Sequence, residues 1–477
     1  MARPRMGDVV VLLPGLTGSV LRKDGKDLWG PSMGALLKAA LSGGDRLKPL
    51  VLREDPPDRD DLGDGVTATR LFSDVHLIPG LWKIDGYSRI AATLKKAFAL
   101  VEGRNYFELP YDWRRDNRVA ARQLARKAHE WLGAWRTSSG NADARLVLVA
   151  HSMGGLVARA FLELLDGWRV TRALVAFGTP FRGSPNSLDA LCNGVRKGPF
   201  GMIDLTVLAR SCTSVHQLLP VYPVVDPGSG RLVRVSEAGA LPGLAPARAA
   251  TGLLFHEEIR RATEDHAGWG EYRDRGYAVF PVVGLGQETA QSVRVQGGRL
   301  EMLAAYAGED LSGDGTVPRV SATPPERAAE RREMYAGTRH AALQSAEATL
   351  THLVGLLSAL SLDLDAYRRG RAARYRRRPA SHLRAAIGFE AGDLYWRGEP
   401  VTVRARPSGE SERLRVSVRP ATGGRVVARA WLGRGPDGWH RAELAPLPAG
   451  SWRLTVAGGP SVEPAEDVIV VAGTRPA

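Results

Sequence analysis

A serine at residue 152 stands at the end of an apolar run and directly before a helical pattern. Residues 146–150 read LVLVA, and residues 154–165 begin with two glycines and continue with helical spacing. Such a strand–turn–helix lifts a serine hydroxyl above the sheet on a tight, strained turn. Alanine at position 150 replaces the glycine of the usual motif and adds little bulk. The spacing predicts that Ser152 is a nucleophile.

A nucleophilic serine needs a histidine to accept its proton and a carboxylate to orient that histidine. With this kind of turn, the acid and then the histidine follow the serine along the chain. Asp314 lies in the glycine-flanked turn GDGTVP at 313–318, after the apolar run at 279–285, and His340 precedes a helical pattern. We therefore predict Asp314 as the acid and His340 as the base.

Other residues compete for these two roles. Asp310 and Glu309 lie close to Asp314 but lack its glycine neighbours. His352 falls inside the helical pattern at 346–362, where a histidine is more often a packed or surface residue. His151 adjoins the nucleophile, and on a tight turn its side chain is expected to point away from the serine and to pack. Asp314 and His340 are the preferred pair.

An ester reaction at a serine also needs backbone N–H groups that stabilise the oxyanion. One is expected from Met153, the residue after the nucleophile. The other is expected from the loop after an early strand, and residues 8–13 (DVVVLL) followed by 14–19 (PGLTGS) provide such a junction. The glycines at 15 and 18 allow the backbone to approach a bound acyl group.

These motifs form an ordered series along about three quarters of the chain. The members are residues 14–19 (PGLTGS), 111–114 (YDWR), 150–155 (AHSMGG), 178–184 (GTPFRGS), 313–317 (GDGTV) and His340. The series resembles the lecithin:cholesterol acyltransferase family, including its bacterial lipase and acyltransferase relatives.

The resemblance implies an α/β-hydrolase fold with cap or lid insertions and acyl lipids such as phosphatidylcholine as substrates. It places the nucleophile at Ser152, the acid at Asp314 and the base at His340. The second oxyanion donor falls at Thr17, where the family often has an apolar residue. We predict neither a cofactor nor a metal ion for this chemistry. The YDWR motif has two open interpretations, a structural corner in which Asp112 pairs with Arg114, or a substrate contact.

The chain divides into three predicted parts. Residues 1–365 form the α/β catalytic domain, with a cap or lid of broken helical fragments at about 185–270. Residues 366–381 are an arginine-rich linker. Residues 382–477 contain short β-rich runs separated by glycine and proline turns, which predicts a small immunoglobulin-like β-sandwich.

The net charge of +14 comes mostly from arginine, and no lysine follows Lys197. We attribute this bias to genome composition and predict no nucleic-acid binding, because no such motif accompanies it. The arginines at 368–378 are either a solvated hinge or a contact with an anionic membrane surface. Residues 29–51 either pack on the core or touch a membrane.

Cellular location is predicted from two further features. Residues 1–5 lead directly into the first strand without an apolar leader. Cys192 and Cys212 are more consistent with free thiols than with a disulfide framework. Together they favour a cytoplasmic protein, with peripheral membrane contact left open.

Two functional hypotheses follow. The first is a serine-dependent lipid acyl-ester enzyme whose acyl group passes either to water or to an alcohol. The second is a catalytically silent hydrolase fold that binds a partner through its C-terminal β-sandwich.

Overall fold

The computed structural model describes most of the chain. The described residues are 6–30, 45–72, 76–77, 83–84, 86–197, 203–361, 387–407, 413–459, 462 and 464–473. The predicted linker at 366–381 and most of the 29–51 insertion lie outside them. The division between the two predicted domains therefore stays a prediction.

A six-stranded parallel sheet forms the centre of the larger part. Its strands are β1 (Val9–Leu13), β2 (Tyr106–Glu108), β3 (Leu146–His151), β4 (Thr171–Phe177), β5 (Ala278–Gly284) and β6 (Met334–Ala336). They lie in the order β6-β5-β4-β3-β1-β2. This sheet confirms the predicted α/β class, and it brings the ends of β1, β3, β5 and β6 to one edge.

Helices cover both faces of the sheet, which is why its strands are apolar runs. The helices are α1 (Ser88–Ala97), α2 (Asn117–Ser139), α3 (Gly154–Leu164), α4 (Pro185–Cys192), α5 (Thr206–Ser211), α6 (Thr213–His216), α7 (Pro246–Ala267), α8 (Gly270–Arg275) and α9 (Glu347–Ser361). Val9 and Val11 pack with α2 and α3. Val10 and Leu12 pack with α1 and α9.

The segment predicted as a cap contains α4 to α7, and the expectation of short helical fragments holds for α4, α5 and α6 but not for α7. Instead of fragments broken by glycine, α7 is a continuous helix of 22 residues that packs against α3. Gly252 lies inside it, facing the backbone of His216, where a β-carbon would collide with the carbonyl oxygen. The glycine therefore permits close packing and does not end the helix.

Small sheets decorate this core. Their strands are Ser19–Lys23, Lys26–Trp29 and Thr67–Leu71; Val225–Asp226, Ser292–Gln296 and Arg299–Leu303; His76–Leu77 and Lys83–Ile84; and Arg196–Lys197 and Ile203–Asp204. The helices of the described ranges include none long and apolar enough to cross a membrane.

The C-terminal region forms two sheets that share one apolar core. Their strands are β7 (Ile387–Ala391), β8 (Leu394–Trp396), β9 (Val401–Pro407), β10 (Arg415–Pro420), β11 (Ala428–Trp431), β12 (Gly433–Arg434), β13 (His440–Leu444), β14 (Gly450–Ala457) and β15 (Ala465–Ala472). The orders are β7-β9-β13-β12 and β8-β15-β14-β10-β11. The additional β-sheet region predicted from the tail is confirmed. We call residues 387–473 the sandwich.

Candidate active site

Ser152 occupies a strained turn between β3 and α3. Its φ is +52°, in the left-handed region that side chains rarely adopt, and its N–H donates to the Phe177 carbonyl at 2.8 Å. A β-carbon on Gly154 would collide with the carbonyl of Pro14, and one on Gly155 with the side chain of Thr179. These close approaches hold the turn in a conformation that costs about 1–3 kcal/mol.

Three side chains from distant parts of the chain form a row of hydrogen bonds, which we call the relay. The Nε2 atom of His340 lies 2.8 Å from the Ser152 Oγ. Its Nδ1 atom lies 2.8 Å from Oδ2 of Asp314. Because a carboxylate only accepts, Nδ1 carries the proton, and Nε2 is left to accept from the serine hydroxyl.

Backbone N–H groups of the turn at 313–318 hold the Asp314 carboxylate in place. Its Oδ1 atom accepts the N–H of Thr316 at 2.9 Å and that of Val317 at 2.6 Å. The carbonyl of Asp314 accepts the N–H of His340 at 2.8 Å. The acid and base loops are therefore joined through their backbones as well as their side chains.

The two predicted oxyanion donors are the N–H groups of Met153, which directly follows Ser152, and of Thr17, in the loop whose Gly15 packs against Ser152. Met153 precedes α3, and Thr17 has a φ of +63° in the loop after β1. Within the described part of the chain, neither N–H donates to a protein acceptor. The Trp29 indole donates to the Thr17 carbonyl at 3.0 Å, which orients the peptide unit between Thr17 and Gly18. Both groups remain available to an oxyanion.

The structure shows a second hydrogen-bonded chain that the sequence did not reveal. The Gly15 N–H donates to Tyr87 Oη at 2.8 Å, and this hydroxyl lies 3.0 Å from His151 Nδ1. His151 Nε2 lies 3.1 Å from the His340 carbonyl, so Nε2 donates and Nδ1 accepts. Burial, followed by the neighbouring His340, lowers the pKa of His151 to about 3, which keeps it neutral. These hydrogen bonds link the Gly15 loop to the backbone of His340.

Tyr87 had no sequence signal, since it lies 72 residues from Gly15 and outside any motif. Burial raises its pKa, so the phenol keeps the proton that it donates to His151. Only the packing of α1 under the sheet brings it to the site.

The competing residues lie outside the relay. Asp310 accepts from the Gln291 side chain at 2.6 Å and from the Ser312 N–H at 2.8 Å. Glu309 is exposed in a turn with Tyr306. His352 is half-buried on α9, and burial lowers its pKa.

The YDWR motif supports the Gly15 loop. The Tyr111 hydroxyl donates to the Pro14 carbonyl at 2.8 Å, and the Trp113 indole to the Ser19 carbonyl at 3.2 Å. Arg114 is fully buried and pairs with Asp112 at 2.6 Å. This arrangement favours the structural interpretation of the motif.

Among the cavities near this edge of the sheet, two differ sharply in size. A narrow one of about 40 Å³ lies over Ser152, lined in part by Leu16, Val215, Leu218 and Val317. A larger one of about 800 Å³ lies between α3 and α7, and the described residues that line it include no relay side chain.

The two cysteines lie in the segment predicted as a cap. Cys192 and Cys212 are free and buried. Burial raises the pKa of both thiols to about 12, so they stay protonated at neutral pH.

Comparison with known proteins supports the sequence resemblance. Residues 62–234 match the family model for lecithin:cholesterol acyltransferase. The chain is 30% identical over 206 residues to an uncharacterized protein of Saccharomyces cerevisiae, covering 43% of this chain and 27% of that protein. It is 28% identical over 160 residues to the lysosomal phospholipase A and acyltransferase of Bos taurus, covering 31% of this chain and 37% of that protein. It thus spans about a third of the length of these relatives.

Solved structures with some likeness include two bacterial proteins. The mature Bacillus licheniformis lipase BlEst2 is 13% identical with a TM-score of 0.37, covering 75% of this chain and 94% of that one. The phospholipase PlaB of Legionella pneumophila is 10% identical with a TM-score of 0.31, covering 98% and 93%.

Proposed function

We propose that this chain belongs to the lecithin:cholesterol acyltransferase-like family of α/β-hydrolases and that it is a serine-dependent lipid acyl hydrolase or acyltransferase. The observation that carries the proposal is the relay, in which His340 lies 2.8 Å from both the Ser152 hydroxyl and the Asp314 carboxylate. The named activity of the bovine relative supports the substrate class.

The first half of the reaction forms an acyl-enzyme. The Ser152 oxygen attacks the ester carbonyl carbon while its proton moves to His340 Nε2. The N–H groups of Met153 and Thr17 stabilise the resulting oxyanion. When the C=O bond re-forms, the ester C–O bond breaks, and His340 gives its proton to the leaving oxygen. Asp314 stabilises the imidazolium throughout.

The second half repeats these steps with a new nucleophile. Water or an alcohol attacks the acyl carbon and gives its proton to His340. The bond between the acyl carbon and the Ser152 oxygen then breaks, and His340 returns a proton to that oxygen. Water yields a free fatty acid, and an alcohol yields a new ester. The proposal covers both outcomes.

The small, apolar cavity over Ser152 supports the proposal of an apolar substrate that enters only after part of the protein moves. Its volume of about 40 Å³ leaves room for only a few water molecules. Leu218 and Val215, from the segment predicted as a cap, line it. We propose that this segment moves aside to admit an acyl chain and then closes over the acyl-enzyme.

The nucleophile is tested with a fluorophosphonate probe, which forms a covalent adduct with an activated serine. We expect labelling of the wild type at Ser152 and none of the Ser152→Ala variant. Labelling of Ser152→Ala would refute the assigned nucleophile. An unlabelled wild type would support the alternative, a silent fold that binds a partner through the sandwich.

The reaction type is tested by incubation with mixed phospholipids and a sterol, followed by mass spectrometry of the products. Free fatty acid alone shows hydrolysis, whereas a sterol ester shows transfer. If an enzyme that the probe labels forms neither product, the lipid substrate class is contradicted.

Liposome flotation, with the arginines at 368–378 neutralised for comparison, tests the proposed contact with an anionic membrane.

A further inference from the structure

The sandwich contacts both loops that supply the acid and the base of the relay. Arg339, directly before His340, pairs with Asp467 of β15 at 2.9 Å. Gln287, in the loop after β5, contacts β7. These contacts meet the relay from two sides.

The contact on the base side joins a partly exposed arginine to a buried carboxylate. The Asp467 side chain is only 2% exposed, and its Oδ1 atom also accepts the N–H of Val468. Arg339 precedes the short 3-10 helix His340–Ala342. A guanidinium bonded to a buried carboxylate is held more firmly than an exposed pair, because little water competes. The residue next to the base is therefore anchored to a strand of the sandwich.

On the acid side, the side-chain amide of Gln287 makes the hydrogen bonds with β7 that the backbone of a neighbouring strand would otherwise make. The Gln287 Nε2 atom donates to the Ile387 carbonyl at 2.9 Å, and its Oε1 atom accepts the Phe389 N–H at 3.2 Å. The Gln287 N–H donates to the Gly313 carbonyl at 3.1 Å, directly before Asp314. A continuous path of hydrogen bonds thus runs from β7 to the acid loop.

The two backbones approach closely beside this contact. A β-carbon on Gly388 of β7 would lie 2.8 Å from the Gly286 carbonyl oxygen, closer than such atoms come. A polar cleft of about 360 Å³ opens next to the relay, and Asp393 and Asp467 of the sandwich line it together with Asp314 and His340. The sandwich therefore forms part of the wall of the site.

We propose that the sandwich is a positioning element of the active site, which acts through Arg339–Asp467 on the base and through Gln287 on the acid. The proposal rests on the proposed serine chemistry and gives the tail a role beyond binding a partner. An acid or base displaced by about 1 Å can cost about 100-fold in rate, so small shifts of either loop matter.

The base side is tested with Asp467→Asn and Arg339→Leu in the full chain. Asp437→Asn is the matched control, because it breaks the exposed Arg441–Asp437 pair of the same sandwich. The measurements are the rate of fluorophosphonate labelling, kcat and KM on a soluble short-chain ester, and the thermal unfolding midpoint.

We expect Asp467→Asn and Arg339→Leu to lower kcat and the labelling rate by about tenfold or more, with KM unchanged. The double variant should be no slower than the slower single variant, since both remove one interaction. Arg339→Lys should recover part of the rate because it keeps the charge. Asp437→Asn should match the wild type.

On the acid side, Gln287→Glu removes the donor to Ile387 while keeping the shape of the side chain. It should lower kcat in the same way. Variants that fold and are labelled at the wild-type rate would overturn the proposal. An unlabelled wild type would instead overturn the serine chemistry, so the two failures are distinguishable. If Asp467→Asn fails to fold, the partly exposed Arg339 still gives the answer.

Discussion

At the scale of single residues, the position of each proton follows from the hydrogen-bond partners. His340 donates to Asp314 through Nδ1 and faces Ser152 with Nε2. His151 has the opposite arrangement, with Nε2 donating to a carbonyl. Two histidines whose ring centroids lie 5.1 Å apart thus have different tautomers and different tasks. One is placed to move a proton, and the other is a neutral structural link.

Replacing the acid should remove this tautomer control. In Asp314→Asn the amide no longer favours the proton on Nδ1, and we expect kcat to fall by about 10³- to 10⁴-fold. The measurement is ester hydrolysis together with the thermal unfolding midpoint. Asp310→Asn is the control, because Asp310 lies outside the relay, and it should retain wild-type activity. Equal losses in both variants would show that Asp314 has no special role.

Removing the hydroxyl of Tyr87 should break the row of hydrogen bonds between the Gly15 loop and His151. In Tyr87→Phe the buried Gly15 N–H loses its acceptor, which costs about 1–3 kcal/mol of unfolding free energy. We also expect a lower kcat, because the oxyanion loop and the base lose their link. Urea unfolding and ester hydrolysis measure both effects. Tyr106→Phe, on strand β2, should lower stability without lowering kcat to the same extent. A Tyr87→Phe protein with unchanged stability and kcat would argue against the link.

At the scale of elements, the turn at Ser152 depends on the close approach of α3 to the loop after β1 and to the segment after β4. Two glycines at the start of α3 make this approach possible, since side chains there would meet the backbone of Pro14 and the side chain of Thr179. The strained conformation of Ser152 is therefore held by the packing of α3 against its neighbours.

A methyl group at this contact should be costly. We expect Gly154→Ala to destabilise the protein toward the upper end of the about 1–3 kcal/mol that overpacking costs, and to abolish fluorophosphonate labelling. Gly133→Ala is the matched control, because Gly133 lies in α2 with open space around it. That variant should gain about 0.5–1 kcal/mol. Chemical denaturation measures both, and a neutral Gly154→Ala would contradict the packing argument.

At the scale of the whole molecule, the contact between the sandwich and the hydrolase core contains a pair of carboxyl groups. Glu390 of β7 hydrogen-bonds Glu288, and Arg404 and Arg339 are the nearby cations. Burial, together with Glu288, raises the pKa of Glu390 above its ordinary value of 4.5. A raised pKa means that the folded protein favours the protonated group. Stability from this group is complete below about pH 4.5 and is lost as the pH rises through the folded value.

The Glu390→Gln variant should remove this loss, because an amide keeps a donor and does not ionise. We expect the variant to gain stability over the wild type at pH 7.5 and to show a smaller difference at pH 4.5. Chemical denaturation at the two pH values measures the effect. Glu443→Gln, on the exposed face of β13, is the control. A gain of equal size at both pH values would exclude the carboxyl pair as its cause.

The sequence by itself determined the α/β class, the additional β-sheet region and the residues that the structure brings together as the relay. Strand-length apolar runs predict buried parallel strands, and the turn around Ser152 tolerates few residue types. The same local logic failed for α7, because Gly252 serves a contact with His216 that lies far away in the chain. The domain boundary and the roles of the site residues stay predictions.

Only the tertiary structure decided which distant groups support the relay. Tyr87, Gln287 and Asp467 belong to no motif, and each acts through a hydrogen bond to a residue at least 72 positions away. A short-range pattern carries no information about such partners, because they depend on how complete elements pack. Local residue types therefore predict the chemistry of the site, whereas the hydrogen bonds that support the relay depend on how the sheet, α1 and the sandwich pack.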